Sequence, residues 1–285
     1  MNRKRVPRSG MSADFGRPPD FGKPTAWMPR QPRSSSDGAT RFKGSTFVGA
    51  MLLFVAVAAC PARADMPCPI PDALALRDIS LPAAKQEVAA DHRLTVLTFG
   101  GVHDLGASAE IDQATYPARL QAELSAALPQ VQVTVANEAP PGKNSTDVPP
   151  VLPGLIAKSG ARLVIWGPGG RDVATRLDLD TFLDAVKGGI NAARHAGADL
   201  ILLDTTFVPS PTRMALIEAY RQALRSIAVA NDVPLLRRHD MMREWSEEGT
   251  LNLAARDPAE RELVARHLFA CVARSLAAPI AAAVK

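Results

Sequence analysis

"LTVLTFG", Leu94 to Gly100, is an apolar run of strand length that stops at a glycine, and four further stretches share its character. They are "VQVTVA" (Val131 to Ala136), "RLVIWG" (Arg162 to Gly167), "DLILLD" (Asp199 to Asp204) and "VPLLRR" (Val233 to Arg238). Nearly continuous apolar runs suit strands covered on both faces, the condition of a parallel sheet. Helical patterns lie between them. "YPARLQAELSAAL" sets Tyr116, Leu120, Leu124 and Leu128 on one stripe at i, i+4 spacing. "LDTFLDAVKGGINAARHAG" ends at Gly197, a suitable C-cap, "PTRMALIEAYRQALRSIAVAN" follows, and "PAERELVARHLFACVARSLAAPIAAAV" closes the chain. Strand and helix alternate throughout. The order predicts a three-layer α/β/α sandwich around a five-stranded parallel sheet with right-handed crossovers.

Outward from this block the composition changes. The chain has 285 residues, 47% of them apolar, enough for one or two domains with a sizeable core. Residues 1–43 hold 10 Lys and Arg against 3 Asp, so the excess of positive charge belongs to this tail. From Asp65 onward the net charge is −4, which leaves no footprint for nucleic acid. The tail is rich in Pro, Gly, Ser and Arg, too poor in apolar residues to bury a core, and is expected to be disordered.

Residues 44–64 read as a signal peptide. Gly44 to Cys60 is uncharged and shorter than the ~20 apolar residues needed to cross a bilayer. Ala62-Arg63-Ala64 offers a small-x-small cleavage site, giving a mature chain from Asp65 without a membrane span and a periplasmic or secreted destination. A lipoprotein attached through Cys60 is the alternative. Cleavage leaves Cys68 and Cys271, which an oxidising compartment would allow to pair, tying the Pro-rich extension (65–90) to the last helix. Two buried free thiols are the plainer reading.

In open parallel sheets ligands bind beyond the carboxyl ends of the strands. Those ends carry Gly100-Gly101-Val102-His103-Asp104, then Asn137 with Gly142 in "NEAPPGKNSTD", then Gly169, Gly170 and Arg171 in "GPGGRD". Glycines there let a backbone approach a ligand closely. With these blocks in order, the domain from residue 91 to 285 resembles the SGNH or GDSL hydrolases, particularly exported bacterial members. The connectors "TYPARL" and "VPLLRRHDMMREW" add to the likeness. The resemblance implies a flavodoxin-like sheet, an ester substrate, and a Ser-Asp-His triad.

The triad positions are where the chain departs from that family. Val102 stands at the nucleophile position, and Asn252 and Ala255 stand where Asp and His are expected ahead of the last helix. Acyl transfer needs a nucleophile, a base and a group to orient the base. Loss of such a triad costs on the order of 10⁶ in turnover. Other residues could in principle rebuild the set: Ser145 with His103, or Ser145 with His239. Arg171, in place of the family's Asn, could bind an anion or pair with Asp172 or Asp104. Trp166 could pack or stack a sugar. His195 and His267 fall within helices and read as packing or solvated groups, and no residue set has convincing metal spacing. No cofactor is expected.

Gly100, Gly101, Val102, Asn137, Gly142, Gly169, Gly170 and Arg171 therefore form the expected binding rim. The sequence points to an exported, non-catalytic protein that binds an acylated or acidic glycan, or an envelope protein. An esterase or deacetylase with a non-standard residue set is the alternative.

Overall fold

The apolar runs form strands whose side chains alternate between two buried faces. The structure is a computed structural model that describes residues 68–100, 115–138 and 143–285. Strands β1 (Arg93–Gly100), β2 (Gln132–Asn137), β3 (Leu163–Gly167), β4 (Asp199–Leu203) and β5 (Leu235–Leu236) make one sheet in the order β2-β1-β3-β4-β5. All its pairings are parallel. On one face Leu94, Val96, Leu163, Ile165 and Ile201 join a core with the helices α2 (Tyr116–Ala127), α7 (Arg238–Glu247) and α8 (Pro258–Val284). On the other, Leu97, Phe99, Val164, Trp166 and Leu202 meet α3 (Val148–Ser159), α5 (Leu179–His195) and α6 (Pro211–Ala230). The result is the three-layer sandwich expected from the alternation.

Local chemistry sets the helix starts. Proline occupies the first turn of α2, α3, α6 and α8, where its missing N–H removes no intrahelical bond. Asp178 caps α5 by accepting from the Thr181 amide at 2.9 Å, and Asp257 caps α8 by accepting from Glu260 at 2.9 Å. Helix α5 carries Gly189 because the Trp166 ring lies against it: a Cβ there would stand 2.3 Å from the ring. Trp166 is thus sealed in the core, which overturns the sugar-stacking alternative.

Three features were not expected. The short helix α4 (Gly170–Thr175) follows β3, and α7 follows β5 almost at once. Strand β5 is cut to Leu235–Leu236, because Arg237 and Arg238 turn away to Asp240 and to the Asp204 carbonyl. The Pro-rich extension, which reads in sequence as a short helix or clamp, is part of the fold. Its helix α1 (Pro82–Asp91) receives an inter-element cap, Ala84 N–H donating to Asp199 at 2.9 Å, and Leu74 and Leu81 are buried in the core.

Helix α8 is the one described helix long and apolar enough to cross a membrane, and 67% of its most apolar window is buried inside the protein. Burial of that kind marks a core helix. Cys271 on α8 forms a disulfide with Cys68, Cα to Cα 5.4 Å, closing a loop of 203 residues. Loop closure on this scale is worth about 5 kcal/mol in the chain-entropy account.

Candidate functional site

The strand order places the topological switch point between β1 and β3, since the chain leaves β1 toward β2 and returns across it to β3. Gly100 and Gly167 are paired there. Gly100 has φ +73°, and a Cβ on it would lie 2.9 Å from the Gly167 carbonyl oxygen. Glycine is thus needed twice over, for backbone angle and for space. Gly169, with φ +102°, is similarly constrained: its Cβ would fall 2.7 Å from the Thr205 Cγ2 methyl.

Asp172 is the knot of this corner. Its carboxylate accepts from the Ser145 amide at 2.8 Å, the Ser145 hydroxyl at 2.7 Å and the Gly169 amide at 2.9 Å. All of this is buried, Ser145 at 3% and Asp172 at 2% exposure. The turn after β3 is therefore fastened to the turn that begins α3. Asn137 ends β2 with its side-chain oxygen accepting from Thr98 Oγ1 at 3.2 Å.

A second cluster fills the other half of the rim. Asp204, after β4, and Asp240, on α7, share Arg221 of α6 at 3.2 and 2.5 Å. Arg225 and Arg237 reach Asp240 at 2.5 and 2.7 Å. Burial alone would raise the Asp240 carboxyl, but the Arg221, Arg225 and Arg237 guanidiniums outweigh that and hold it well below the usual range. Burial likewise opposes the charge on Arg221, yet Asp204 and Asp240 raise its pKa above the ordinary value.

The residues proposed from sequence are distributed unevenly over this frame. Ser145 does not meet His239. The serine hydroxyl is committed to Asp172, while His239 follows β5, two strands beyond β3. His239 is 3% exposed and edge-on to Phe207 at 5.2 Å, with its Nδ1 3.9 Å from Asp240, outside hydrogen-bonding reach. The Asp240 carboxylate is taken by guanidiniums, so His239 and Asp240 are not a base and its orienting acid. Among the described residues no hydroxyl bonds an imidazole at the rim. Arg171 is exposed on the first turn of α4 and makes no ion pair with Asp172, whose carboxylate faces inward. Asn252 donates to Glu260 at 2.7 Å, and the Ala255 amide donates to the Asn252 carbonyl at 3.1 Å, forming the turn into α8. Gly101, Val102, His103, Asp104 and Gly142 lie outside the described residues, as do the tail and the signal-like segment.

Sequence reasoning missed the cavity beside this corner. It measures ≈ 420 Å³ and lies at the ends of β3 and β4, lined by Gly170, Val173, Thr205, Thr206, Val208 and Ile217. Thr206 is 6% exposed, and its hydroxyl has no hydrogen-bond partner among the described residues. The same holds for the buried Tyr116 hydroxyl, which opens α2, and for His239 Nδ1. Unmet polar groups of this kind are uncommon in native interiors. Larger open clefts of ≈ 850 and ≈ 600 Å³ lie along the extension and at the amino ends of β4 and β5, away from the rim where parallel sheets place ligands.

Fold and rim together define an SGNH-type hydrolase scaffold. Residues 67–285 match the non-GDSL lipase-like family, and the chain belongs to that family. No curated protein sequence matches it. Among solved structures, it is similar to a mutant of Axe2, an acetyl-xylooligosaccharide esterase from Geobacillus stearothermophilus (16% identity, 66% of this chain, 93% of that one, TM-score 0.52). A lipase/acylhydrolase from Enterococcus faecalis shares 17% identity over 65% of this chain and 96% of its own, with TM-score 0.50. An α/β hydrolase, LAE5, from the metagenome of Lake Arreo gives 17%, 68%, 96% and 0.50. At these identities the likeness carries the fold alone.

Proposed function

We propose that the chain is a binding protein on a hydrolase scaffold, holding an acylated glycan at the ends of β3 and β4 without cleaving it. The observation that carries the reading is the cavity beside Gly170. It pairs an apolar wall of Val173, Val208 and Ile217, suited to an acyl group, with the exposed Arg176 at its edge, whose guanidinium can donate to an ester or sugar oxygen. The similar Geobacillus protein acts on acetylated xylo-oligosaccharides, which suggests the ligand class. Val102, Asn252 and Ala255 at the triad positions, and the engagement of Ser145 by Asp172, argue against ordinary ester hydrolysis. Export through the 44–64 segment would bring the protein to envelope glycans, and the Cys68–Cys271 disulfide suits that compartment.

Two measurements test this. Acetylated xylo-oligosaccharide should raise the melting temperature, the deacetylated form should raise it less, and Arg176→Ala should reduce the shift. A short-chain activated ester should show no turnover above buffer with the wild type, His103→Ala, His239→Ala or Ser145→Ala. Turnover abolished by one of those substitutions would replace the binding reading with that of an esterase or deacetylase.

A further inference from the structure

The Cys68–Cys271 disulfide has a third donor beside it. His267 and Cys271 stand four residues apart on α8, a spacing that puts both side chains on one face of a helix. Cys68 comes to that face from the extension, its sulfur 3.8 Å from His267 Nε2. The two sulfurs and a ring nitrogen of His267 all lie within 4.8 Å of one another. Tetrahedral zinc holds thiolate at ~2.3 Å and imidazole at ~2.0–2.1 Å, which sets sulfur and nitrogen ~3.6 Å apart. The observed separation is close to that. Arg274, one turn further on, brings Nη1 to 3.9 Å from the Cys68 sulfur and is itself paired with Glu123 at 3.2 Å. A guanidinium there favours the thiolate form that a metal requires.

We infer that Cys68, Cys271 and His267 form a soft-metal site, selective for zinc-like divalent ions, whenever the cysteines are reduced. Disulfide and metal are mutually exclusive states of one cluster. In the reduced state two thiols lose their protons to bind one ion, giving with neutral imidazole a centre of zero net charge, with the fourth position left to solvent. On oxidation a disulfide such as oxidised glutathione accepts two electrons from the two metal-bound thiolates, the Cys68–Cys271 bond forms, two glutathione thiolates leave and take up protons from solvent, and the ion is released. The metal thereby holds the extension on α8 before the covalent bond does. Helical His267, read from sequence as a packing or solvated residue, is thus assigned as a ligand.

The test uses the full chain carrying Cys60→Ser, so that only the two cluster thiols remain. Reduced with a phosphine without oxygen and titrated with Zn²⁺ against a chromophoric chelator, it should take up one ion per chain. Co²⁺ should give the thiolate charge-transfer and visible bands of a tetrahedral site. His267→Ala should weaken Zn²⁺ binding by more than ~10-fold, taking the loss for a supporting partner as the lower bound for a ligand. Because that variant keeps both cysteines, its oxidised form should melt as the wild type does, separating ligand loss from misfolding. Bound Zn²⁺ should slow disulfide formation by oxidised glutathione and appear free as the bond closes. Absence of stoichiometric uptake by the reduced chain, folded or unfolded, overturns the inference. Uptake indifferent to His267→Ala overturns it equally.

Discussion

Two buried carboxylates sit at the same rim and are satisfied by different chemistry. Asp172, after β3, takes neutral donors only, two amides and the Ser145 hydroxyl, all from residues close to the switch point. Asp240, on α7, takes the charged guanidiniums of Arg221, Arg225 and Arg237 and so joins α6 to α7. Neutral donors make a short local fastening in which removing the Asp172 carboxylate leaves only neutral groups behind. A buried ion network is more exposed to failure, because removing one member strands the others. Among the described residues, the half-rim after β3 carries small, polar, closely packed turns. The half near β4 and β5 has been filled with charge.

The comparison would break first at Asp240. Asp240→Asn removes the charge facing Arg221, which is 4% exposed, and should cost about 3–5 kcal/mol of stability in a urea titration. A cost under about 1 kcal/mol would mean that Asp204 and Glu218 together suffice for Arg221. The pH dependence follows from the sign of the shift. With the folded carboxyl held below its ordinary value, the stabilisation is complete above the usual carboxylate range (~4) and is lost as pH falls through and below it. The wild type should therefore lose stability below about pH 4, and Asp240→Asn should flatten that part of the curve.

Asp172→Ala should cost less, about 2–3 kcal/mol, through two amides and a hydroxyl left without an acceptor. Asp172→Asn retains an acceptor and should recover about half of that. Gly169→Ala strikes the same corner by geometry. Its φ of +102° and the 2.7 Å approach to Thr205 predict a loss of about 1–3 kcal/mol, read as a drop in melting temperature. A melting temperature equal to that of wild type would mean that the turn relaxes freely.

The interior was more legible than the rim. β1 and β3 differ from their apolar runs by at most one residue at an end, because a strand buried on both faces leaves its hydrophobicity in consecutive letters. Gly100 and Gly169 were legible too, since only glycine tolerates those angles and approaches. The end of β5 was not. "VPLLRRHD" reads as a strand with a polar tail, and nothing local says that Arg237 reaches Asp240 while Arg238 reaches back to the Asp204 carbonyl. Partners 34 residues apart, such as Arg238 and Asp204, leave no periodicity. Ser145 misled for the same reason: its neighbours in sequence are those of a loop serine, and its partner Asp172 lies 27 residues on. His267 was discounted as a lone helical histidine because the third donor, Cys68, is 199 residues away.

The smallest expected effect is the most discriminating. Ser145→Ala removes one donor and leaves the Ser145 and Gly169 amides on Asp172, so its cost should be about 1 kcal/mol. In a double-mutant cycle with Asp172→Ala the two losses should not add, because the hydroxyl has no other bond to lose once the carboxylate is gone. A coupling of about 1 kcal/mol would establish Ser145 as a fastening. A nucleophile behaves differently: its removal abolishes turnover and usually spares stability, since reactive groups are held at some cost to the fold. Measuring both quantities on this one variant therefore separates a serine that ties the rim together from one that attacks an ester.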